Sequence, residues 1–336
     1  MTISGIGDAS QFFRLRRDGS SLQADMERLT MELSTGKRAD LGVANGGSFT
    51  ALADISRSLT LNRSFAEAIS TANLDATGRQ ATLDLLANEI SGFAPQLLSF
   101  SAGGSLGDLM LANADAGDRF AHAATALNTR LGGRSLFAGD APDRAAIISG
   151  DAMLDALRPI AAGAGTVEDL VRDVEAWFVD PGGGFETLAW QGGNGAPAPV
   201  ILSEGTQENA AITALDPAIR EALAGLALAA LADEGVGPSG EANTRALISA
   251  AALRMQSGES AVIALRAQLG ATQARIEDAR VQTETTRAVL EMERNRLMEA
   301  DPYRTATDLE AVQTRLESLY ILTSRLSRLS LSEYLR

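Results

Sequence analysis

Any chemistry in this 336-residue chain would have to run on very few side chains. His122 is the single histidine, set among alanines in AHAATAL, and cysteine is absent. A lone helical histidine without an HExxH partner reads as a surface or packing residue rather than a metal ligand. With no thiolate and no second imidazole, no zinc site can be written, and disulfides and cysteine nucleophiles fall away together. Glycine runs at 103–104, 132–133, 182–184 and 192–193 invite a phosphate-cradle reading. None carries GxxxxGK[ST] or GxGxxG between a strand and a helix, so they read as turns. No GxSxG occurs, and a Ser-His-acid triad would have to recruit His122 from a helix interior. The adjacent acids Glu168-Asp169 and Asp233-Glu234 could be drawn as general acid and base. On so acidic a stretch they read as a solvated face. The expectation is no catalytic residue, no cofactor and no metal, and hence no enzyme.

Composition narrows the remaining classes. A formal charge of -14 argues against nucleic acid, because neutralising phosphates needs a clustered basic surface. The basic residues are nearly all arginine, with Lys37 the single lysine. Codon bias explains that more readily than a need for bidentate anion binding. Residues 151–240 hold 14 acids against Arg158, Arg172 and Arg220, so most excess negative charge sits mid-chain. There it would keep a solvent-facing lobe soluble. Apolar residues make up 45% and aromatics only 4%, a balance that favours long Ala/Leu-rich helices over an aromatic-rich globular core. No run of 18 apolar residues appears, so membrane insertion is not expected. The start, MTISGIGDASQFFRLRRDG, lacks a basic segment followed by an apolar core, and no secretory signal is visible.

The elements that would position any functional surface are helices. Phe12, Leu15, Leu22, Met26, Leu29 and Leu33 recur at three-four spacing with Gly19 filling a gap, making one narrow stripe. Ser34-Thr35-Gly36 stops that helix, and an irregular stretch runs through Gly46-Gly47. A second helix is expected over 48–100, with Leu83, Leu86, Ile90, Phe93 and Leu97 on one face and Pro95 kinking or ending it. A third covers 106–131. Toward the other end, Val262, Leu269, Ile276, Thr283, Leu290 and Leu297 recur every seven residues, the signature of a seam facing one partner. Asp301-Pro302 reads as an N-cap with proline at the first helical position. Leu309, Val312, Leu316, Leu319 and Leu326 follow at three-four spacing.

The middle reads differently, with short helices at 166–179 and 217–233. Strand-like fragments at 185–190, 200–202 and 207–213 lie between Gly/Asn/Pro turns. Trp177 and Trp190 read as core of that lobe, and the arm methionines as seam filling. A helix some sixty residues long cannot bury its stripe alone, and the N-terminal stripes match it. The fold class expected is mainly α: an antiparallel long-helix bundle formed by the two terminal arms, with a small inserted α+β lobe. The boundaries follow. Residues 1–45 and 301–336 are axial arms, 46–150 and 241–300 are rod segments with a hairpin near 133–149, and 151–240 is the acidic lobe.

Four segments add a resemblance. ELSTGKRAD at 32–40 resembles the signature that closes the first helix of flagellins and their hook-associated relatives. RAQLGATQARIEDA at 266–279 is similar to a flagellin-family C-terminal segment. GRSLFAGD at 133–140 and the closing LSLSEYL at 329–335 are similar to stretches of the hook–filament junction proteins in that flagellin-like family. The resemblance covers roughly the first 140 and last 100 residues, and ADLGVANGG departs from the run usual after the first signature. It implies a flagellin-like fold and a structural adaptor at the junction of hook and filament, with flagellin itself as the alternative. It also implies an extracellular flagellar location reached without a cleaved signal peptide. The implied partners are other copies of the chain, a hook-associated junction protein, flagellin, the export apparatus and an export chaperone. Leu15, Leu22, Leu29, Leu319, Leu326 and Leu329 are the expected assembly interface.

Overall fold

The computed structural model describes residues 4–40, 42, 49–195, 198–208 and 212–334, with side chains described for 10, 13–40, 42, 49–195, 198–208 and 212–326. The side chains of Phe12, Leu329 and the rest of LSLSEYL, and the stretch around Gly46-Gly47, lie outside the described residues. In chain order the elements are α1 (Ser4–Thr35), α2 (Thr50–Ser91), α3 (Phe93–Gly103), α4 (Leu106–Asn113), α5 (Ala116–Leu127), β1 (Arg130–Leu131) and β2 (Arg134–Ser135). Then come α6 (Gly150–Gly163), α7 (Val167–Val179), a π-helical turn at Phe185–Ala189, β3 (Val200–Ser203), β4 (Thr206–Glu208), α8 (Pro217–Asp233), α9 (Glu241–Met298) and α10 (Pro302–Tyr334). Among the described residues no helix is long and apolar enough to cross a membrane. The fold is mainly α, as the periodicities require.

The chain forms two compact units. One takes residues 1–62 and 285–336, and the other takes 63–284. The larger unit is organised around α8, whose residues from Ile219 to Ala232 are buried except Glu221. A helix that is apolar all round belongs in the interior. Alanines and Gly225 keep it thin enough for α5, α6, α7 and α9 to close around it. The nearest approach is to α9, where a Cβ on Gly258 would lie 2.5 Å from the Ala222 Cα. One on Gly225 would lie 2.6 Å from the Met255 backbone nitrogen. The two helices therefore cross backbone to backbone. The stripe of Leu83, Leu86, Ile90, Phe93 and Leu97 joins the same core, as do Phe120, Phe178 and Phe185. Phe120 meets Phe178 edge-on at 6.4 Å between centroids, an arrangement aromatic rings favour.

Two arginines close helix ends inside this unit. Arg220, buried on α8, donates to the carbonyls of Phe178 and Val179 at the end of α7 and to Glu186 at 3.0 Å. Arg245 donates to the Phe100 and Ser101 carbonyls in the last turn of α3 and to that of Gly104 just past it. Terminal helix carbonyls have no intrahelical partner, and a guanidinium satisfies several at once.

Several local expectations change. The long second helix breaks at Gly92 rather than at Pro95, and Pro95 falls in the first turn of α3, where its missing N–H has no intrahelical partner to lose. The third helix is two, because the chain turns at Ala114-Asp115. Helix α6 appears where no element was expected, capped by Ser149 and carrying Pro159 within it. Residues 185–189 form a π-helical turn instead of a strand, since Phe185 must reach Trp177 and Phe178, and only Trp190 makes a β-bridge, to Ile147. Strand β4 is confined to 206–208, and 209–211 lie outside the described residues.

The β3–β4 hairpin forms a strap of its own. Leu202 is buried with Ile69 and Ala72 of α2 and Ile276 of α9, in a cluster separate from the main core. Its far end is held by Arg275, which donates to both Glu208 oxygens, from Nε at 2.9 Å and Nη2 at 2.6 Å. That fork, opposed by partial burial, holds the Glu208 carboxyl below its ordinary range. A depressed folded-state pKa means the strap's anchorage is full above the ordinary glutamate range and is lost as pH falls through the lower folded value. Glu208→Gln is therefore expected to speed backbone hydrogen exchange at 200–208 by about two- to fivefold near neutral pH, the range one partly exposed ion pair supports. The variant's exchange should lose the acid dependence that the native hairpin shows.

Candidate assembly surface

The smaller unit pairs α1 with α10. Gly36 meets Ala300 through a 3.0 Å backbone hydrogen bond, and Gly19 lies against Leu319, so the helices run antiparallel. Seven-residue spacing of Leu15, Leu22 and Leu29 turns one face of α1 toward Val312, Leu316 and Leu319 of α10. Leu29, Val312 and Leu316 are buried; Leu15, Leu22, Leu319 and Leu326 are half-buried. Gln23 donates to the Tyr320 hydroxyl at 3.0 Å. Where Gly19 interrupts the stripe, a groove of about 610 Å³ opens, lined by Phe13, Leu15, Gly19, Gln23, Leu319 and Tyr320. Five of the six expected interface leucines are thus placed on one helix pair, and the side chain of Leu329 is outside the described residues.

The pair leaves much apolar surface uncovered. Phe13 is 75% exposed, Tyr303 85%, Met31 59%, and Ile321 and Leu322 are both more than half exposed. Two helices bury one seam and nothing more, so these faces have no cover within the unit.

A clasp that spacing alone does not reveal joins the start of this pair. Helix α1 ends at Thr35, and Gly36 takes a φ of +67°, which only glycine adopts without cost. The chain then pairs Lys37 with Glu299; Arg38 N donates to the Met298 carbonyl at 2.8 Å, and its Nε to Glu299 O at 2.9 Å. Glu32, buried on α1, accepts from Ala39 N at 3.0 Å and from Arg28 at 3.3 Å. Opposite, Asp301 accepts from the Tyr303 and Arg304 backbone and starts α10. The residues of 32–40 are thus a joint fitted to the break between α9 and α10. STG followed by KR, matched with DP far downstream, was the readable trace of it.

The segment 133–140 has an equally local explanation. Gly132 and Gly133, with φ of +58° and +82°, make the tight turn between β1 and β2. Leu136, Phe137 and Ala138 then enter the core of the larger unit. The Asp140 carboxylate is bracketed by Gly193 and Gly195, where any Cβ would collide with it.

Charge divides along the same lines. Residues 1–62 and 285–336 carry 15 acids and 15 bases, whereas 63–284 carry 28 acids and 14 bases. The whole net charge therefore belongs to the larger unit. His122 is mostly exposed beside Glu89, 3.7 Å away. Among the described residues no cluster of three or more His, Cys, Asp or Glu is placed to hold a metal ion.

Comparison with known proteins bears on these helices. Residues 255–335 match the family model of the bacterial flagellin C-terminal helical region. Over those residues the chain is flagellin-like. That match takes in the 266–279 and 329–335 segments, α9 from Met255 onward and all of α10. A solved structure of a protein of Vibrio parahaemolyticus assigned as a flagellar hook-associated protein superposes with a TM-score of 0.51 at 15% identity. The likeness covers 73% of this chain and 94% of that one. At that identity the likeness is one of fold. No curated protein matches the sequence.

Proposed function

We propose that this chain is a structural subunit of the bacterial flagellum, acting as the adaptor between hook and filament. The observation that carries the reading is the α1–α10 pair: electrically neutral as a unit, and with large apolar side chains left exposed along both helices. Neutral apolar faces suit packing against identical helices without mutual repulsion. The arms 1–45 and 301–336, with Leu15, Leu22, Leu29, Leu319, Leu326 and Leu329, would form that packing. The partners would be other copies of the chain, with a hook-associated protein on one side and flagellin on the other. Delivery would be through the flagellar export apparatus with a chaperone, placing the subunit outside the cell. GRSLFAGD and the LSLSEYL ending favour the junction over the filament, because both resemble junction proteins.

A deletion strain tests the assignment. For an adaptor, hooks assemble, flagellin appears in the medium and no filament grows. If the chain is instead the filament protein, the strain releases no other flagellin, and supplying this chain alone restores a long filament.

A further inference from the structure

Fourteen arginines lie in the larger unit, where acids outnumber them two to one. Nine of them form ion pairs: Arg119, Arg158, Arg172, Arg220, Arg245, Arg254, Arg266, Arg275 and Arg280. Of the five that have no carboxylate within 4.0 Å among the described residues, four gather at the β1–β2 hairpin: Arg79, Arg130, Arg134 and Arg144. Hydrogen bonds show how they are brought together. Arg79 Nε on α2 donates to Leu136 O at 2.9 Å, just past β2. Ser135 N donates to Pro142 O at 2.7 Å, and Arg130 Nη2 donates to the Asp143 carbonyl, so 142–144 run back along the hairpin. Burial is what chiefly disfavours the Arg79 charge; Asp75, one turn away on α2, favours it, and Arg134 adds a smaller repulsion from the hairpin. The nearby Asp140 carboxylate is turned to Gly193 and Gly195 instead.

We infer that this arginine face docks onto exposed carboxylates in the larger unit of a second copy. The inference rests on the self-assembly reading above. When neutral arms pack side by side, they bring together larger units that each carry the whole net charge of -14. At separations within a Debye length, ~8 Å at physiological salt, such units repel. An arginine cluster with no carboxylate in ion-pair contact among the described residues is where contact with an acidic neighbour becomes attractive, and guanidinium forks suit carboxylates. Exposed acids such as Asp151 and Glu168, in no ion pair among the described residues, are the kind of group it would meet. A docking face of this sort orients neighbours more than it adds affinity.

The test uses full-length protein, with assembly read by sedimentation over a salt series. Arg134 and Arg144 are exposed and make no side-chain hydrogen bond among the described residues, so the fold should tolerate their change. R134E/R144E is expected to raise the critical concentration for assembly about tenfold and to remove most of its salt dependence, the size two exposed charges support. R134K/R144K, which keeps both charges, should stay near wild type. Should the reversed pair melt early, R134Q/R144Q carries the comparison. Assembly of the charge-reversed or neutral pair at wild-type concentration and with wild-type salt dependence would overturn the docking face and leave the self-assembly reading standing. Failure of the wild-type chain to assemble at any salt would sink that reading, and the inference with it.

Discussion

Gly258→Ala is expected to destabilise the larger unit, reversing the usual sign of a glycine-to-alanine change inside a helix. Alanine ordinarily gains about 1 kcal/mol over glycine at such a position. At Gly258 the added methyl would sit 2.5 Å from the Ala222 Cα and 2.7 Å from its nitrogen, and a backbone cannot swing aside as a side chain can. Prising α8 and α9 apart disturbs packing along the most deeply buried helix, and a net loss of about 3 kcal/mol is expected. In thermal melts that is a fall of about 6–12 °C for a unit of this size. Gly270→Ala supplies the control on the same helix. Nothing lies within 4 Å of its Cβ position, so it should hold or raise the melting temperature. Equal effects at the two sites would show that the backbone crossing does not limit packing.

The second large effect concerns assembly. Removing residues 316–336 takes away Leu316, Leu319, Tyr320 and Leu326, and with them the partner of most of α1. The residues of 63–284 keep every buried contact of their own core. The truncated chain should melt at nearly the native temperature for the larger unit yet fail to enter any polymer, a loss of at least about a hundredfold in assembly, given how cooperatively such seams form. Normal motility in a strain carrying only the truncated chain would refute the packing role given to the arms.

What the residues disclosed depended on range. Leu83, Leu86, Ile90, Phe93 and Leu97 announce a buried helical face because the three-four spacing is itself the geometry. The helix expected over 217–233 is found at those bounds, with Asp216 capping it and Pro217 at its first position, since such signals are local. That α8 would be central was harder to see. Alanine is compatible with surface and interior alike, and the acidic flanks suggested an exposed lobe. The aromatic run at 185–190 has strand-like composition, and packing against Trp177 and Phe178 outweighs it. At the candidate surface the leucine stripe was legible, while the clasp partners were not. Arg38 meets Glu299 across 261 residues, and Glu208 meets Arg275 across 67, distances over which no periodicity speaks. The hairpin arginines were visible as residues, but their lack of carboxylates is a property of three-dimensional neighbours.

Lys37 gives the clasp a practical meaning. It is the chain's single lysine, and it stands on the strip that pairs with Glu299. A lysine-directed reagent therefore has one side-chain address in the molecule, at the joint where α1 ends and α10 begins. A lysine-specific protease likewise has one cleavage position, held in paired backbone while the clasp is shut. Whether that bond is cut thus reports on the state of the joint alone, without any engineered label.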